Sequence, residues 1–510
     1  MTRRPAAGLA AALVLGAAHS LPFVHTGAWW LQLGALALFV ALLRDATPRH
    51  AAQLGLVFGA AWLGAGVWWL FISMHRYGGL PAWMAVLAVV ALCAALGLYL
   101  AGAAAAWVHW RHRASVVAAP MFAALWLLAE IARGVIFTGF PWLASGYAHV
   151  DAPLAVLAPW VGVYGIGFVA ALIAAWLGLG AWRSVRGALV ALMPPLVLLG
   201  TAAAVGARDF TRPTGTLAVT LLQSNVAQDE KFSLAHLPAS LAWAQRELVA
   251  ARGDLVVAPE TVIPLLPAQL EPGYWEALLA HFRGGERAAL VGLPLGDALA
   301  GYTNSAAGLS AASAGLPGGF YRYDKQHLVP FGEFIPTGFR WFVALMNIPL
   351  GDFARGPLVA PSFEHLGERI APNICYEDLF GEELAARFAD AAGAPTMLAN
   401  LSNIGWFGHT IAIPQHLHIS RMRSLELQRP MLRATNTGAT AVIDHRGRVL
   451  AALEPHTQGV LDAQVQGRTG LTPFAAWAGR LGLWPLVVSA ALVWGLGIGL
   501  RRRQTAGSGP

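Results

Sequence analysis

The chain has few charged residues, few cysteines and almost no lysine. Only 12% of its 510 residues are charged, whereas a soluble globular chain carries roughly 25%. Hydrophobic residues make up 56%, which excludes intrinsic disorder and argues against a single ordinary water-soluble fold. Two cysteines, Cys93 and Cys375, are too few for a disulfide framework or a cysteine-based zinc site.

The two lysines, Lys231 and Lys325, stand against 32 arginines. Lysine can lose its proton inside a site and arginine cannot. In a chain that uses arginine at nearly every basic position, each lysine is therefore a position to examine for function. The net charge of +7 belongs to residues 1–207, and residues 208–510 are neutral overall. The excess therefore lies beside apolar segments and not on a polar domain, and we exclude nucleic acid as a partner.

Eight apolar stretches are long enough to cross about 30 Å of hydrocarbon. They lie at roughly 6–24, 27–43, 52–73, 80–108, 116–137, 155–181, 188–206 and 481–500. An N-terminal signal peptide is an alternative for the first, but six further spans follow closely and favour a retained helix. Arginines cluster at every second boundary, which by the positive-inside rule predicts both termini in the cytoplasm.

We therefore predict four parts in a multi-pass membrane protein. Residues 1–207 form a seven-helix transmembrane domain, and 208–478 form an extramembrane domain on the side opposite the cytoplasm, which in a bacterium is the periplasmic side. Residues 479–500 form a last transmembrane helix, and 501–510 form a cytoplasmic tail.

The extramembrane part alternates strand-like and helix-like stretches, which predicts an α/β domain with strands buried under helices. The strand-like runs are Leu217–Gln223, Asp254–Ala258, Ala288–Gly292, Arg369–Ile374 and Thr396–Ala399. The helix-like stretches include 234–252, 272–283 and 381–392.

Three segments place a reactive side chain where such folds carry their sites, at or beyond strand ends. Glu260, in VVAPET, follows an apolar strand and could be a general base, although a capping or salt-bridged glutamate would look the same. Lys325, in YRYDKQHLVPFGEFIP, could stabilise an oxyanion if a carboxylate such as Glu333 pairs with it; the alternative is a surface lysine.

Cys375, in IAPNICYEDLFGEE, ends a strand, and we expect a helix to begin near Asp378. Backbone N–H groups at such a turn favour both a thiolate and an oxyanion. Most buried cysteines are inert packing residues, but Glu260 as a possible base makes a nucleophile the more plausible interpretation.

Together, Glu260 in PET, Lys325 in DKQHLVPFGEFIP and Cys375 in NICYED resemble the Glu-Lys-Cys triad of the nitrilase superfamily. The segment LSNIGWFGHTIAIPQHLHISRMRSLELQRPMLRATNTGATAVID (401–444) and the seven-plus-one span plan are similar to its membrane branch, the apolipoprotein N-acyltransferase family. Two positions depart from that family's usual pattern: Ile404 replaces an Asp, and Phe232 replaces a Trp.

The resemblance implies an α-β-β-α sandwich and ping-pong acyl transfer. Separately, we expect no cofactor, no metal and a monomer. Cys375 would take an acyl chain from a phospholipid as a thioester and pass it to the α-amine of the diacylglyceryl-cysteine of an apolipoprotein, the last step of lipoprotein maturation. Glu260 would be the base, and Lys325 with the Tyr376 N–H would hold the oxyanion. Glu333, Tyr376 and Glu377 match supporting positions of the family.

The apolar segment 338–353 could cover the thioester and exclude water, with Trp341 and Phe342 facing lipid. A soluble core helix could have the same composition. Two rival functions remain. One is a membrane-anchored amidase or nitrile hydrolase, in which water takes the acyl group. The other is a transporter or scaffold with a degenerate nitrilase-like domain.

Overall fold

A computed structural model of the protein describes residues 5–206, 208–343 and 352–506. These residues divide into two compact units. The helical unit comprises residues up to Phe71, Ala82–Arg208 and the chain from Leu481 onward. The α/β unit comprises Ile72–Pro81 and Asp209–Arg480.

Within its described residues, the helical unit contains eight helices that are long and apolar enough to cross a membrane. This agrees with the predicted multi-span helical bundle. The α-helical parts of these spans are Pro5–Ser20, Trp29–Leu43, Pro48–Val67, Ala82–Trp110, Ser115–Val135, Ala158–Gly178, Val185–Val205 and Trp484–Ala506.

Among the described residues, the α/β unit forms two six-stranded sheets. The strands are β1 Arg212–Gln223, β2 Leu255–Val257, β3 Ala288–Asp297, β4 Gly301–Leu309, β5 Tyr321–Asp324, β6 Phe363–His365, β7 Glu368–Ile374, β8 Met397–Ser402, β9 Met431–Thr435, β10 Ala441–Ile443, β11 Val449–Ala452 and β12 Gly459–Thr469. The first sheet has the order β12-β1-β2-β3-β4-β5 and the second β11-β10-β9-β8-β7-β6. Strands β1–β2–β3 are parallel to one another, as are β7–β8–β9, so each sheet has an edge where carboxyl ends meet.

Alternation along the strands builds three hydrophobic cores. In β3, Ala288 and Leu290 point to the core between the two sheets, while Ala289 and Val291 point to the helices over the first sheet. In β8, Met397 faces the core between the sheets, and the second sheet has its own helical cover on its other face. Three cores between four layers make an α-β-β-α sandwich, the fold class expected above.

The helices over the first sheet are Leu237–Ala250 and Tyr274–Arg283. Those over the second are Gly381–Ala386, Ala412–Leu427 and Pro473–Leu481. The helix predicted over 381–392 is shorter than expected. It ends at Ala386, and the next residue, Arg387, donates from its side chain to the main-chain oxygen of Pro372 in β7. The helix expected near Asp378 is a 3₁₀ turn, Cys375–Leu379, that begins at the cysteine itself.

The connection Ile72–Pro81 packs with the α/β unit. Arg76 Nη2 lies 3.2 Å from Asp229 Oδ2, and the ring of Tyr77 meets that of Trp406 edge to face at 5.8 Å. This segment joins two predicted spans, and no pattern in its sequence indicated that it would pack with the α/β unit.

Candidate active site

Glu260 lies three residues after the end of β2 and is buried. Its Oε1 accepts a 2.7 Å hydrogen bond from Asn304 Nδ2, and its Oε2 accepts one of 2.8 Å from the Asn403 N–H. Lys231 Nζ donates to the main-chain oxygen of Glu260 at 2.9 Å. The carboxylate is therefore held in place by residues from distant parts of the chain.

Lys325 follows β5 and is almost fully buried. Its Nζ lies 2.9 Å from Glu333 Oε1 and 3.6 Å from Glu260 Oε1. Burial acts to lower the pKa of Lys325, but Glu333 and Glu260 outweigh it and raise the pKa above its usual value. Lys325 is thus a fixed cation between two carboxylates and not a surface lysine.

Asn304, in the middle of β4, joins those two carboxylates. Its Nδ2 donates to Glu260 Oε1 at 2.7 Å and to Glu333 Oε1 at 2.6 Å. Charge-assisted bonds of this kind are stronger than neutral ones. Sequence reasoning missed Asn304. The one signal was a run of three polar residues, Thr303 to Ser305, in the segment YTNSAAG, with nothing to link it to Glu260.

Cys375 follows the last residue of β7 and is partly buried. Its φ of +51° is unusual for a residue with a side chain and is typical of strained positions at functional sites. Burial and the charge of Glu260 raise the pKa of the Cys375 thiol to about 12. Lys325, the Ser402 hydroxyl and the Asn403 N–H act in the opposite direction. The thiol therefore needs a base to become a nucleophile at neutral pH.

A buried polar network lies beneath the cysteine. The main-chain oxygen of Cys375 accepts from Asn400 Nδ2 at 3.3 Å and is 3.2 Å from His416 Nε2. Arg433 donates to His416 Nδ1 at 2.8 Å, so the imidazole proton sits on Nε2, which also lies 3.0 Å from Asp378. This network fixes the strained turn that carries the thiol.

Glu377 braces the two segments that carry Lys325 and Cys375. Its Oε1 accepts from the N–H groups of Gln326 and His327, at 2.7 and 3.3 Å. Its Oε2 accepts from the Ile374 N–H at 2.6 Å and from the Tyr323 hydroxyl at 2.8 Å. The side chain thus links the residue before the cysteine to the residues after the lysine.

The remaining predicted site residues are Tyr376, Trp341 and Phe342. Tyr376 is buried, and its ring packs edge to face on Phe380 at 5.3 Å. Trp341 is 65% exposed. The side chain of Phe342 and residues 344–351 of the predicted lid lie outside the described residues.

The two departures from the family pattern have different settings. Ile404 is buried, and the loop around it is held through Asn403, whose side chain bonds to Gln228 at 2.8 Å and to Asn436 at 2.9 Å. Phe232 is 52% exposed.

The structure thus brings together a carboxylate, a lysine and a thiol in a site rich in fixed donors. Such a set can take a proton from sulfur, attack an acyl carbon and stabilise the resulting oxyanion. The class of protein follows from the fold. The carbon-nitrogen hydrolase family model matches residues 218–474, and the apolipoprotein N-acyltransferase N-terminal domain model matches 15–176.

Full-length relatives agree with both matches. The apolipoprotein N-acyltransferase of Verminephrobacter eiseniae is 53% identical over 93% of this chain and 92% of its own length. That of Ralstonia nicotianae is 46% identical over 99% and 95%, and that of Nitrosomonas europaea is 39% identical over 98% and 99%. The chain therefore belongs to the apolipoprotein N-acyltransferase family, and it is a multi-pass membrane acyltransferase.

Proposed function

We propose that this protein transfers an acyl chain from a phospholipid, through a thioester on Cys375, to the α-amine of a diacylglyceryl-cysteine at the N-terminus of an apolipoprotein. The product is the triacylated lipoprotein. The observation that carries the proposal is the shared environment of Glu260, Lys325 and Cys375. Glu260 lies 3.6 Å from Lys325, and both change the pKa of the cysteine.

In the first half-reaction, Glu260 takes the proton from the Cys375 sulfur. The thiolate attacks the ester carbonyl of the phospholipid, and the negative charge moves to the carbonyl oxygen. Lys325 and the Tyr376 N–H stabilise that oxyanion. The ester C–O bond then breaks, and Glu260 returns the proton to the departing lysophospholipid hydroxyl.

In the second half-reaction, the acceptor amine attacks the thioester carbon. Glu260 takes the proton that the nitrogen loses, the same donors hold the second oxyanion, and the C–S bond breaks. The sulfur leaves as a thiolate and is protonated again by Glu260. No further energy source is needed because the donor ester supplies the acyl group in activated form.

Several features of the chain support the wider proposal. The eight apolar helices favour a chain anchored in a membrane, where phospholipid donors are found. The arginine pattern favours a periplasmic α/β domain over 208–478, in the bacterial inner membrane and between the predicted transmembrane parts. The exposed Trp341 supports a lipid-facing lid at 338–353 that keeps water from the thioester. The proposal treats the protein as a monomer, with Glu333, Tyr376 and Glu377 as supporting residues.

The test is a mass measurement of the acyl-enzyme. Purified protein incubated with phosphatidylethanolamine should gain one acyl chain at Cys375, and Cys375→Ser should gain none. Adding a diacylated lipopeptide should discharge the thioester into an amide-linked triacyl product. Free fatty acid in place of that product would indicate a hydrolase. A fully folded wild type with no adduct would indicate a scaffold.

A further inference from the structure

The side chains of both lysines in the chain lie next to Glu260. Lys325 Nζ is 3.6 Å from the Glu260 carboxylate, and Lys231 Nζ donates to the Glu260 main-chain oxygen at 2.9 Å. Arginine occupies all 32 other positions of fixed positive charge. Lysine has thus been kept only at the candidate site, where a compact ammonium differs most from a guanidinium.

The burial of Lys231 indicates that its charge matters. The residue is 5% exposed, and burying an ammonium is strongly unfavourable unless other charges compensate. A neutral donor could hold the Glu260 carbonyl at a much lower cost. A need for positive charge at this point explains the lysine, whereas a need for a hydrogen bond alone does not.

Charge balance shows what the second ammonium would do. Glu260 and Glu333 carry two negative charges, and Lys325 supplies one positive charge close to both. With Lys231 included, these four groups are neutral overall. Without it, Glu260, Glu333 and Lys325 carry a net charge of −1. When Glu260 takes the proton from Cys375, one negative charge moves to the sulfur, and Lys325 alone would have to offset both that charge and Glu333.

We propose that Lys231 is a second cation of the active site, which fixes the main chain of Glu260 and offsets the negative charge that forms on Cys375 during acylation. The proposal rests on the proposed function for the acyl chemistry. Lys231 acts through Glu260 and through its field, so it is a positioning residue.

The two acidic residues that directly precede Lys231 in the chain lie near other basic groups. Asp229 pairs with Arg76 at 3.2 Å, and Glu230 is an exposed residue whose carboxylate lies 3.9 Å from His236. The groups that act on Lys231 are Glu260 and Cys375.

The two lysines should respond differently to pH. Burial lowers the pKa of Lys231 to about 8, although Glu260 and Cys375 act to raise it. The pKa of Lys325 is raised, so that residue stays charged. Lys231 is therefore protonated below pH 8 and neutral well above it. Its contribution to thiolate formation should be full at pH 7 and should fade above about pH 9.

The experiment measures alkylation of Cys375 by iodoacetamide in the full-length protein in detergent, followed by peptide mass spectrometry between about pH 6.5 and 10. The variants are Lys231→Met, which removes the charge at similar length, and Lys231→Arg, which keeps it. Arg246→Met, at an exposed position of the same unit, is the matched control for loss of one positive charge. Melting temperatures are measured alongside.

We expect Lys231→Met to alkylate about tenfold more slowly at pH 7, equivalent to a rise of about one unit in the pKa of the thiol. The difference from wild type should shrink above about pH 9, while Lys231→Arg and Arg246→Met should stay close to wild type. The proposal is overturned if Lys231→Met matches wild type at every pH. It is also overturned if Lys231→Met and Lys231→Arg are equally slow at every pH, because that indicates a structural role.

Alkylation needs no lipid, so this result is independent of the acyl chemistry. Acyl-enzyme formation from phosphatidylethanolamine is measured on the same variants. If the alkylation rates change as expected but wild type forms no acyl-enzyme, the proposed function fails and the role of Lys231 in the charge of the thiol stands. If wild type is acylated and Lys231→Met alkylates like wild type, only the present inference fails.

Discussion

Replacing Glu377 by glutamine tests whether a side chain that takes no part in the reaction sets the geometry of the nucleophile. The carboxylate accepts four hydrogen bonds, two at each oxygen. Glutamine has the same shape, but one oxygen becomes an NH₂ group that cannot accept. Whichever way the amide turns, two of the four donors lose their acceptor.

The two orientations of the amide are not equivalent. With NH₂ at the Oε1 position, the buried N–H groups of Gln326 and His327 are both left unpaired. With NH₂ at the Oε2 position, the Tyr323 hydroxyl can turn and accept, and only the Ile374 N–H is orphaned. The second orientation should be favoured because it leaves one buried donor unpaired instead of two. That donor is the N–H group of Ile374, the residue directly before Cys375.

An orphaned buried donor costs about 1–3 kcal/mol, and lost bonds to a charged acceptor add to this. We expect the Glu377→Gln free energy of unfolding to fall by about 2–4 kcal/mol and the melting temperature by about 5–10 °C. Because the loss falls beside the nucleophile, single-turnover acylation should slow by roughly tenfold to a hundredfold.

The matched control is Tyr323→Phe. It removes one of the same four bonds and leaves the Ile374 N–H paired at 2.6 Å. Its acylation rate should fall by less than about tenfold. Wild-type acylation in Glu377→Gln would refute the reasoning. Equal damage in both variants would place the effect at the tyrosine instead of the turn at Cys375.

Two further predictions concern the rest of the site. Asn304→Ala should slow single-turnover acylation by about tenfold or more, because Glu260 and Glu333 each lose a charge-assisted bond; an unchanged rate would mean that the carboxylates are placed without it. Trp341→Glu should lower acyl transfer from phospholipid vesicles, but not from a short-chain soluble ester, at an unchanged melting temperature. Equal loss with both donors would argue against a lipid-facing lid.

Local sequence pattern was sufficient for the elements of the fold. Long apolar runs can be satisfied only as spanning helices, and apolar strands of the α/β unit can be satisfied only between layers, so both could be predicted. Glu260, Lys325 and Cys375 were found because each is a reactive side chain at or beyond the end of such a strand. The sequence did not predict that the helix at 381–386 would be short or that a 3₁₀ turn would begin at Cys375, because the ends of elements depend on competing local contacts.

Tertiary structure alone decided how those residues are held. Asn304 reaches Glu260 across 44 positions of sequence, and Asn403 reaches it across 143. Bonds of that separation leave no local trace, since each partner looks like an ordinary polar residue. The same holds for Lys231. The sequence showed that it is one of only two lysines in the chain, and only the fold showed that it bonds to Glu260. Composition and periodicity report what each segment buries, while the site depends on which segments the fold brings together.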